Sequence, residues 1–212
     1  MSRQQTVFRP LFQLSLAGAL ALGLSGCISL LPKSKPALLY RFTPQTAAAA
    51  KAPPGANAIG VFDGGGEFQR ESASDRMLTI TGDRAAYIAE ARWAAPAEVL
   101  FDQAVDAAFE GSGGHVRLVP RGAPAPTDFI LRLDVRNFEA RYDAGEKAAP
   151  TVRVRVHAAL TRDRNRSVVS EQVFEANVPA SDNRVSAIAA AYDKAVSDVL
   201  GRVVAWTNAS AS

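Results

Sequence analysis

The sequence is poor in the residues that bind metals or form covalent cross-links. It contains one cysteine, Cys27, and two histidines, His115 and His157, which fall on separate predicted strands. A single cysteine excludes an intramolecular disulfide framework. A structural zinc site needs about four clustered Cys, His or carboxylate ligands. We therefore expect no metal site, no cofactor and no disulfide.

Motifs of known catalytic sites are also missing. The sequence has no Gly-x-Ser-x-Gly elbow to carry a serine nucleophile, and no serine can be assigned a positioned base. The segment Asp63-Gly64-Gly65-Gly66 shares only its glycines with a phosphate-binding loop, because no Gly-Lys-Ser/Thr follows it. A turn is the better interpretation of this segment. We expect a protein that is neither an enzyme nor the ATP-hydrolysing part of a larger machine.

Long hydrophobic runs are absent as well, which excludes a multi-span permease. The apolar stretch at residues 11–24 is shorter than the roughly 20 residues that cross a bilayer. It follows a segment with Arg3 and Arg9 and no acidic residue, and it ends in Leu24-Ser25-Gly26-Cys27. A positive start, a short apolar centre and small residues before a cleavage point are typical of a secretory signal.

The four residues that close this segment resemble the bacterial lipobox at every position. Ser25 and Gly26 give a signal peptidase access to the backbone, and the thiol of Cys27 is the nucleophile for thioether attachment of diacylglycerol. We predict a signal peptide at 1–26 and lipidation at Cys27, with an added N-acyl chain of the palmitate type. Two lipid signals already give stable anchoring. The alternative is that Cys27 is an ordinary small residue in an uncleaved anchor.

Removal of the signal changes the charge of the protein. The whole chain has 24 basic and 21 acidic residues, and the loss of Arg3 and Arg9 leaves 22 against 21. No basic run interleaved with aromatic residues remains, so we expect no nucleic-acid partner. The residues after the cysteine are Ile28 and Ser29. They lack the aspartate that resembles the inner-membrane retention signal of enteric bacteria. We therefore favour the periplasmic face of the outer membrane over the inner membrane.

The remaining chain is long enough for one domain with a core. We predict a lipidated cysteine and tether at 27–36, one domain at 37–207 and a flexible tail at 208–212. The tether has a composition that suits a spacer, with Pro32, Lys33, Lys35 and Pro36. A second low-complexity segment, rich in Ala and Pro, lies inside the domain at residues 43–56.

Hydrophobic periodicity within this domain predicts an α+β fold. Apolar and polar residues alternate at 129–135 as in a half-buried strand, and the phase flips after Asn137, which indicates a β-bulge. Two segments have apolar residues at helical spacing. The predicted elements are strands at 37–42, 58–62, 76–81 and 85–93, a helix at 97–110, strands at 115–119, 129–142, 152–160 and 168–178, and a helix at 183–206. This order favours a mainly antiparallel sheet with two amphipathic helices packed on one face.

Several of these segments together resemble the auxiliary lipoproteins of ABC-type transporters, including the PqiC (YmbA)-like proteins. The resemblance is carried by 86–96 and the helix after it, and by 129–142, 152–160, 162–166, 174–176 and 204–206. It implies an auxiliary lipoprotein domain at 37–207, anchored to the outer membrane and facing the periplasm. It further implies a non-catalytic subunit that docks onto an MCE-domain substrate-binding protein. Such systems move phospholipids or other hydrophobic molecules between the two membranes, and family members can form ring-like homo-oligomers.

Three groups of residues are candidates for contact with a partner. Arg92 and Trp93 form an aromatic and basic corner before the first helix; the alternative is that Trp93 closes the core. Arg153 and Arg155 lie on the polar face of a strand, where they could bind acids or lipid phosphates or simply be solvated. Phe138 lies beyond the phase flip, and so does Tyr142; the alternative for both is a place in the core.

Two other functions stay open at this point. A structural lipoprotein could bind an outer-membrane assembly or peptidoglycan without transporting anything. An envelope hydrolase is a third interpretation, but no nucleophile and base can be paired in the sequence.

Overall fold

The computed structural model describes residues 36–42 and 58–212. The predicted signal peptide, Cys27 and the Ala/Pro segment at 43–56 lie outside the described residues. Within them the elements are β1 (Leu38–Tyr40), β2 (Ile59–Asp63), β3 (Arg76–Thr81), β4 (Arg84–Trp93), α1 (Ala97–Glu110), β5 (Val116–Val119), β6 (Phe129–Arg141), β7 (Thr151–Arg162), β8 (Val168–Pro179) and α2 (Val185–Ser210).

The longest strand, β6, organises the sheet. One of its edges pairs with β7 in an antiparallel ladder, and β7 pairs in the same way with β8. The other edge pairs in parallel with β2 at Phe129–Leu131 and with β3 at Ala140 and Arg141. β5 lies outside β2, and β4 lies outside β3 with β1 beyond it. The α+β class is confirmed, and the sheet is mixed, with antiparallel long ladders and parallel short ones.

The predicted bulge in β6 is present. The register against β7 shifts between Val135 and Asn137, so that both Val135 and Phe138 are buried on the same side. Gln69 completes the hydrogen bonding at this point, because its Oε1 accepts from the Phe138 amide at 2.9 Å. A strand that would otherwise turn its apolar residues outward therefore keeps one face in the core along its whole length.

The helices cover apolar residues of the sheet. α1 begins after Pro96 and ends before Gly111, as the sequence predicts, and its buried residues include Leu100, Phe101, Ala104, Val105 and Phe109. α2 contacts β7 and β8 and also α1, while α1 contacts β5. The even-numbered residues of β7 from Val152 to Leu160 have no exposed surface.

The prediction of a flexible tail at 208–212 is wrong. α2 continues to Ser210, and Ala211 is fully buried. The Val116 amide donates to Asn208 Oδ1 at 3.2 Å, and His115 Nε2 lies 3.3 Å from the carbonyl oxygen of Ala211. These contacts tie the end of the helix to β5. The short polar and alanine residues of this segment show no apolar period, so the sequence carries no local signal of the packing.

Candidate functional site

Two of the predicted contact residues lie in the core. Trp93 is 2% exposed and Phe138 is 1% exposed. The Phe138 ring lies 4.8 Å from the Tyr192 ring and 5.5 Å from the Phe42 ring, and Trp93 meets Phe42 edge-on at 5.2 Å, measured between ring centroids. The prediction of direct partner contact is corrected for Trp93 and Phe138, because packing against neighbouring aromatic rings leaves neither side chain accessible.

Arg92 and Tyr142 are partly exposed and hold local structure. Arg92 Nη1 donates to Asp75 Oδ1 at 3.3 Å, which joins β4 to the segment before β3. The Tyr142 hydroxyl donates to Asn183 Oδ1 at 2.8 Å, just before α2 begins. Partial burial raises the pKa of Tyr142. Both side chains have accessible surface, so they stay open to a partner, although each already has a structural role.

Arg153 and Arg155 share one carboxylate on the polar face of the sheet. Glu175 of β8 lies 3.5 Å from Arg153 Nε and 3.6 Å from Arg155 Nε. Arg153 also donates to Asn177 Oδ1 at 3.1 Å. Since both guanidinium groups are partly exposed, this face can be simply solvated or can bind an anion, and the two interpretations of the sequence both stand.

A groove that the sequence did not predict lies beside α1. Its walls are the first half of α1 and the segment after β2, and its volume is about 260 Å³. Its lining residues are Asp63, Gly65, Gly66, Glu67, Phe68, Glu98, Val99, Phe101, Asp102, Val105, Arg121, Leu133 and Val135.

The glycines of Asp63-Gly64-Gly65-Gly66 set this wall close against β6. The Gly64 amide donates to the Leu131 carbonyl at 2.8 Å, and the Leu133 amide donates to the Gly65 carbonyl at 2.9 Å. A Cβ at Gly66 would lie 1.8 Å from the Leu133 carbonyl oxygen, so only glycine fits there. The segment continues the parallel ladder of β2. Three consecutive glycines after a strand are the sequence signal that could have indicated this close approach.

Carboxylates line the rim of the groove, with Arg121 between two of them. Arg121 Nη2 donates to Asp102 Oδ2 at 2.8 Å, and Arg121 Nε lies 3.5 Å from Asp63 Oδ2. Partial burial raises the pKa of Asp102 despite this hydrogen bond. Partial burial and the nearby Asp63 carboxylate also raise the pKa of Asp106. Among the lining residues, the acidic side chains outnumber the one basic side chain, Arg121. The rim would therefore attract a positively charged group.

The floor of the groove is apolar, and no reactive pair lies in it. Phe68 and Phe101 meet edge-on at 5.9 Å between ring centroids, and Val135, which also lines the groove, is buried. Val99, at the rim, has 41% of its surface exposed. Among the described residues, no group of three or more His, Cys, Asp or Glu side chains could hold a metal ion. The arrangement can bind an apolar or cationic side chain, and it contains no paired nucleophile and base.

The N-terminal strand is held to the domain by its short ladder with β4 and by one buried ring that follows it. Phe42, the second residue after β1, is 3% exposed and packs against Trp93 and Phe138. The Ala94 amide donates to the Tyr40 carbonyl at 2.7 Å. Within the described parts of the chain, no helix is both long and apolar enough to cross a membrane. The predicted lipid site, Cys27, lies outside the described residues.

Comparisons with known proteins agree with this fold. A sequence model of the family described as ABC-type transport auxiliary lipoprotein component matches residues 74–204, more than half of the chain. The crystal structure of protein XCC0632 from Xanthomonas campestris, of the family DUF330, matches with 26% identity and a TM-score of 0.71 over 82% of this chain and 96% of that chain. A second crystal structure, of an uncharacterised protein, matches with 12% identity and a TM-score of 0.58 over 81% of this chain and 99% of that chain. No curated protein shows significant similarity to this chain.

Proposed function

Since this chain belongs to the family of ABC-type transport auxiliary lipoprotein components, we propose that it is the lipid-anchored, non-catalytic auxiliary subunit of an MCE-type transporter. The transporter moves phospholipids or other hydrophobic molecules between the inner and outer membranes. The family match carries this proposal. The lipobox ending at Cys27 supports it independently, because it lies outside the matched residues.

The anchor places the domain at the periplasmic face of the outer membrane. After processing, Cys27 becomes the first residue and carries the lipid, and the absence of aspartate at Ile28 and Ser29 favours export to the outer membrane. With a thioether-linked diacylglycerol and an N-acyl chain, the protein does not leave the bilayer spontaneously. Its role is to present a docking surface to a partner at a defined membrane.

The groove beside α1 is our candidate for the contact with the MCE-domain protein. Its acidic rim and apolar floor fit a partner segment that carries a lysine or arginine next to an apolar side chain. Val99 is the exposed apolar residue at the rim. Asp63, Glu98 and Asp102 supply the charge around it. Other copies of the chain can assemble beside this contact, as in the ring-like oligomers that the resemblance implies.

Crosslinking and affinity capture from envelope fractions test the proposal. Wild-type protein is expected in the outer-membrane fraction together with an MCE-domain protein, and Cys27→Ser is expected to lose the outer-membrane location. Val99→Arg is expected to keep the location but lose the partner. Gln103→Arg, an exposed change on α1 that does not line the groove, is the matched control and should keep both.

Three results would count against the proposal. An outer-membrane location that survives Cys27→Ser would show that the lipid is not the anchor. Capture of peptidoglycan and no MCE-domain protein would favour the structural scaffold. Turnover of a lipid or peptidoglycan substrate by the purified mature protein would show that the chain is an enzyme.

A further inference from the structure

The N-terminal strand exposes two large apolar side chains next to each other. Leu38 is 64% exposed and Leu39 is 68% exposed, the highest values among the large apolar residues of the described chain. Successive side chains of a strand point to opposite faces. Neither face of β1 is therefore covered at these positions, although single exposed leucines elsewhere would need no explanation.

The position of β1 along the chain indicates what covers these residues. Leu38 follows the predicted lipid site, Cys27, by 11 residues. A chain of that length spans at most about 40 Å when fully extended. β1 is thus the first element of the described domain after the predicted anchor. The connecting segment is short enough for the exposed leucines of β1 to reach the lipid surface.

Charge around the strand points to the same surface. Between Cys27 and Phe42 the sequence has no acidic residue, and it has Lys33, Lys35 and Arg41. Arg41 is exposed at the end of β1. Basic groups beside exposed leucines are the combination that binds the interface of a bilayer with anionic headgroups.

The strand is also attached rigidly enough for such a contact to matter. β1 pairs with β4 from Leu38 opposite Ala91 to Tyr40 opposite Trp93, and the buried Phe42 ring follows it. We propose that Leu38 and Leu39, with Arg41, rest in the headgroup region of the bilayer that carries the lipid anchor, and that this contact sets the orientation of the domain. The inference rests on the lipidation at Cys27 that the proposed function includes.

A single-thiol fluorescence measurement tests this contact. Cys27 is the only cysteine, and lipidation consumes its thiol, so Leu38→Cys or Leu39→Cys gives the mature lipoprotein one free thiol for an environment-sensitive dye. Val168→Cys on β8 is the matched control, because Val168 is 62% exposed. Each labelled full-length lipoprotein is reconstituted in vesicles of phosphatidylethanolamine and phosphatidylglycerol, with and without lipids that carry a quencher near the glycerol backbone.

Quenching at positions 38 and 39 is expected to exceed quenching at 168 by at least roughly twofold, as for side chains at the depth of an interfacial helix. Equal quenching at all three positions, or none at any, would overturn the proposal. A third result would also overturn it. If the dye at position 38 is shielded from water equally in detergent and in vesicles, and the lipid quencher does not reduce its fluorescence, a second copy of the chain covers β1.

A separate measurement distinguishes failure of the lipid anchor from failure of the contact at β1. The mass of the mature protein reports whether Cys27 carries its lipids. A lipidated protein whose labels at 38 and 39 are not quenched would disprove the contact alone. An unlipidated mature protein would disprove the anchor of the proposed function, and with it the geometric argument for β1.

Discussion

At the scale of single residues, Phe138 shows why a side chain next to an irregular strand need not be a contact site. The bulge before it rotates the strand so that its ring enters the core, where it contacts the rings of Phe42, Phe68, Trp93 and Tyr192. Aromatic pairs at these distances stabilise a fold by about 0.5–1.5 kcal/mol beyond the area they bury. Phe138 is therefore a residue on which stability depends.

Phe138→Ala is expected to lower the free energy of unfolding by about 3–5 kcal/mol, because it opens a cavity in a packed aromatic cluster. Urea unfolding followed by tryptophan fluorescence measures the change, since Trp93 lies in the same cluster. Tyr142→Phe is the control. It removes one partly exposed hydrogen bond to Asn183 and should cost about 1 kcal/mol or less. A loss of similar size in the two variants would show that Phe138 is not central to the core.

At the scale of elements, α1 combines an apolar face in the core with a crowded acidic edge at the groove. Asp106 has Asp63, Asp102 and Glu110 as electrostatic neighbours, with Arg121 as the opposing charge. Partial burial and these carboxylates raise its pKa above the ordinary value of 3.8. Ionisation of Asp106 is therefore less favourable in the folded protein than in the unfolded chain, so the ionised carboxylate weakens the fold.

Asp106→Asn is expected to stabilise the protein at neutral pH, because it removes a charge that folding disfavours. A raised folded pKa means that the wild-type protein loses stability as the pH rises through the interval between 3.8 and that pKa. The gain from Asp106→Asn should therefore shrink as the pH falls toward 3.8 and vanish below it. Urea unfolding at several pH values measures it. Asp102→Asn, which also loses the hydrogen bond to Arg121, should gain less; a gain independent of pH would contradict the argument.

Some elements could be predicted from the sequence, whereas contacts between distant segments could not. α1 and the bulge in β6 have local signals, namely Pro96, Gly111 and a phase flip after Asn137. The parallel ladder from Gly64 to Leu131 joins residues far apart in the chain, and no period within either segment encodes it. The groove beside α1 depends on that ladder. The sequence therefore shows which residues line the groove only after the fold is known, because no local pattern indicates that they lie close together.

At the scale of the whole molecule, Phe42 is the first fully packed residue after the segment that we propose to be the lipid tether. Phe42→Ala is expected to release β1 while the rest of the sheet stays folded, because the Phe42 ring packs on the core and β1 itself is three residues long. Hydrogen exchange at the Ala94 amide, which donates to the Tyr40 carbonyl, reports this opening. Loss of about 3–5 kcal/mol of packing should speed that exchange by at least about a hundredfold.

Two controls make this prediction specific. The Val154 amide, in the centre of the β7 ladders, should keep its protection in Phe42→Ala. Leu38→Ala, at an exposed position of the same strand, should leave Ala94 protected as in the wild type. Equal loss of protection at Ala94 and Val154 would mean that Phe42 supports the entire domain. If Ala94 alone opens, Phe42 holds β1 to the sheet, and the proposed contact of β1 with the membrane could orient the domain only while that ring stays packed.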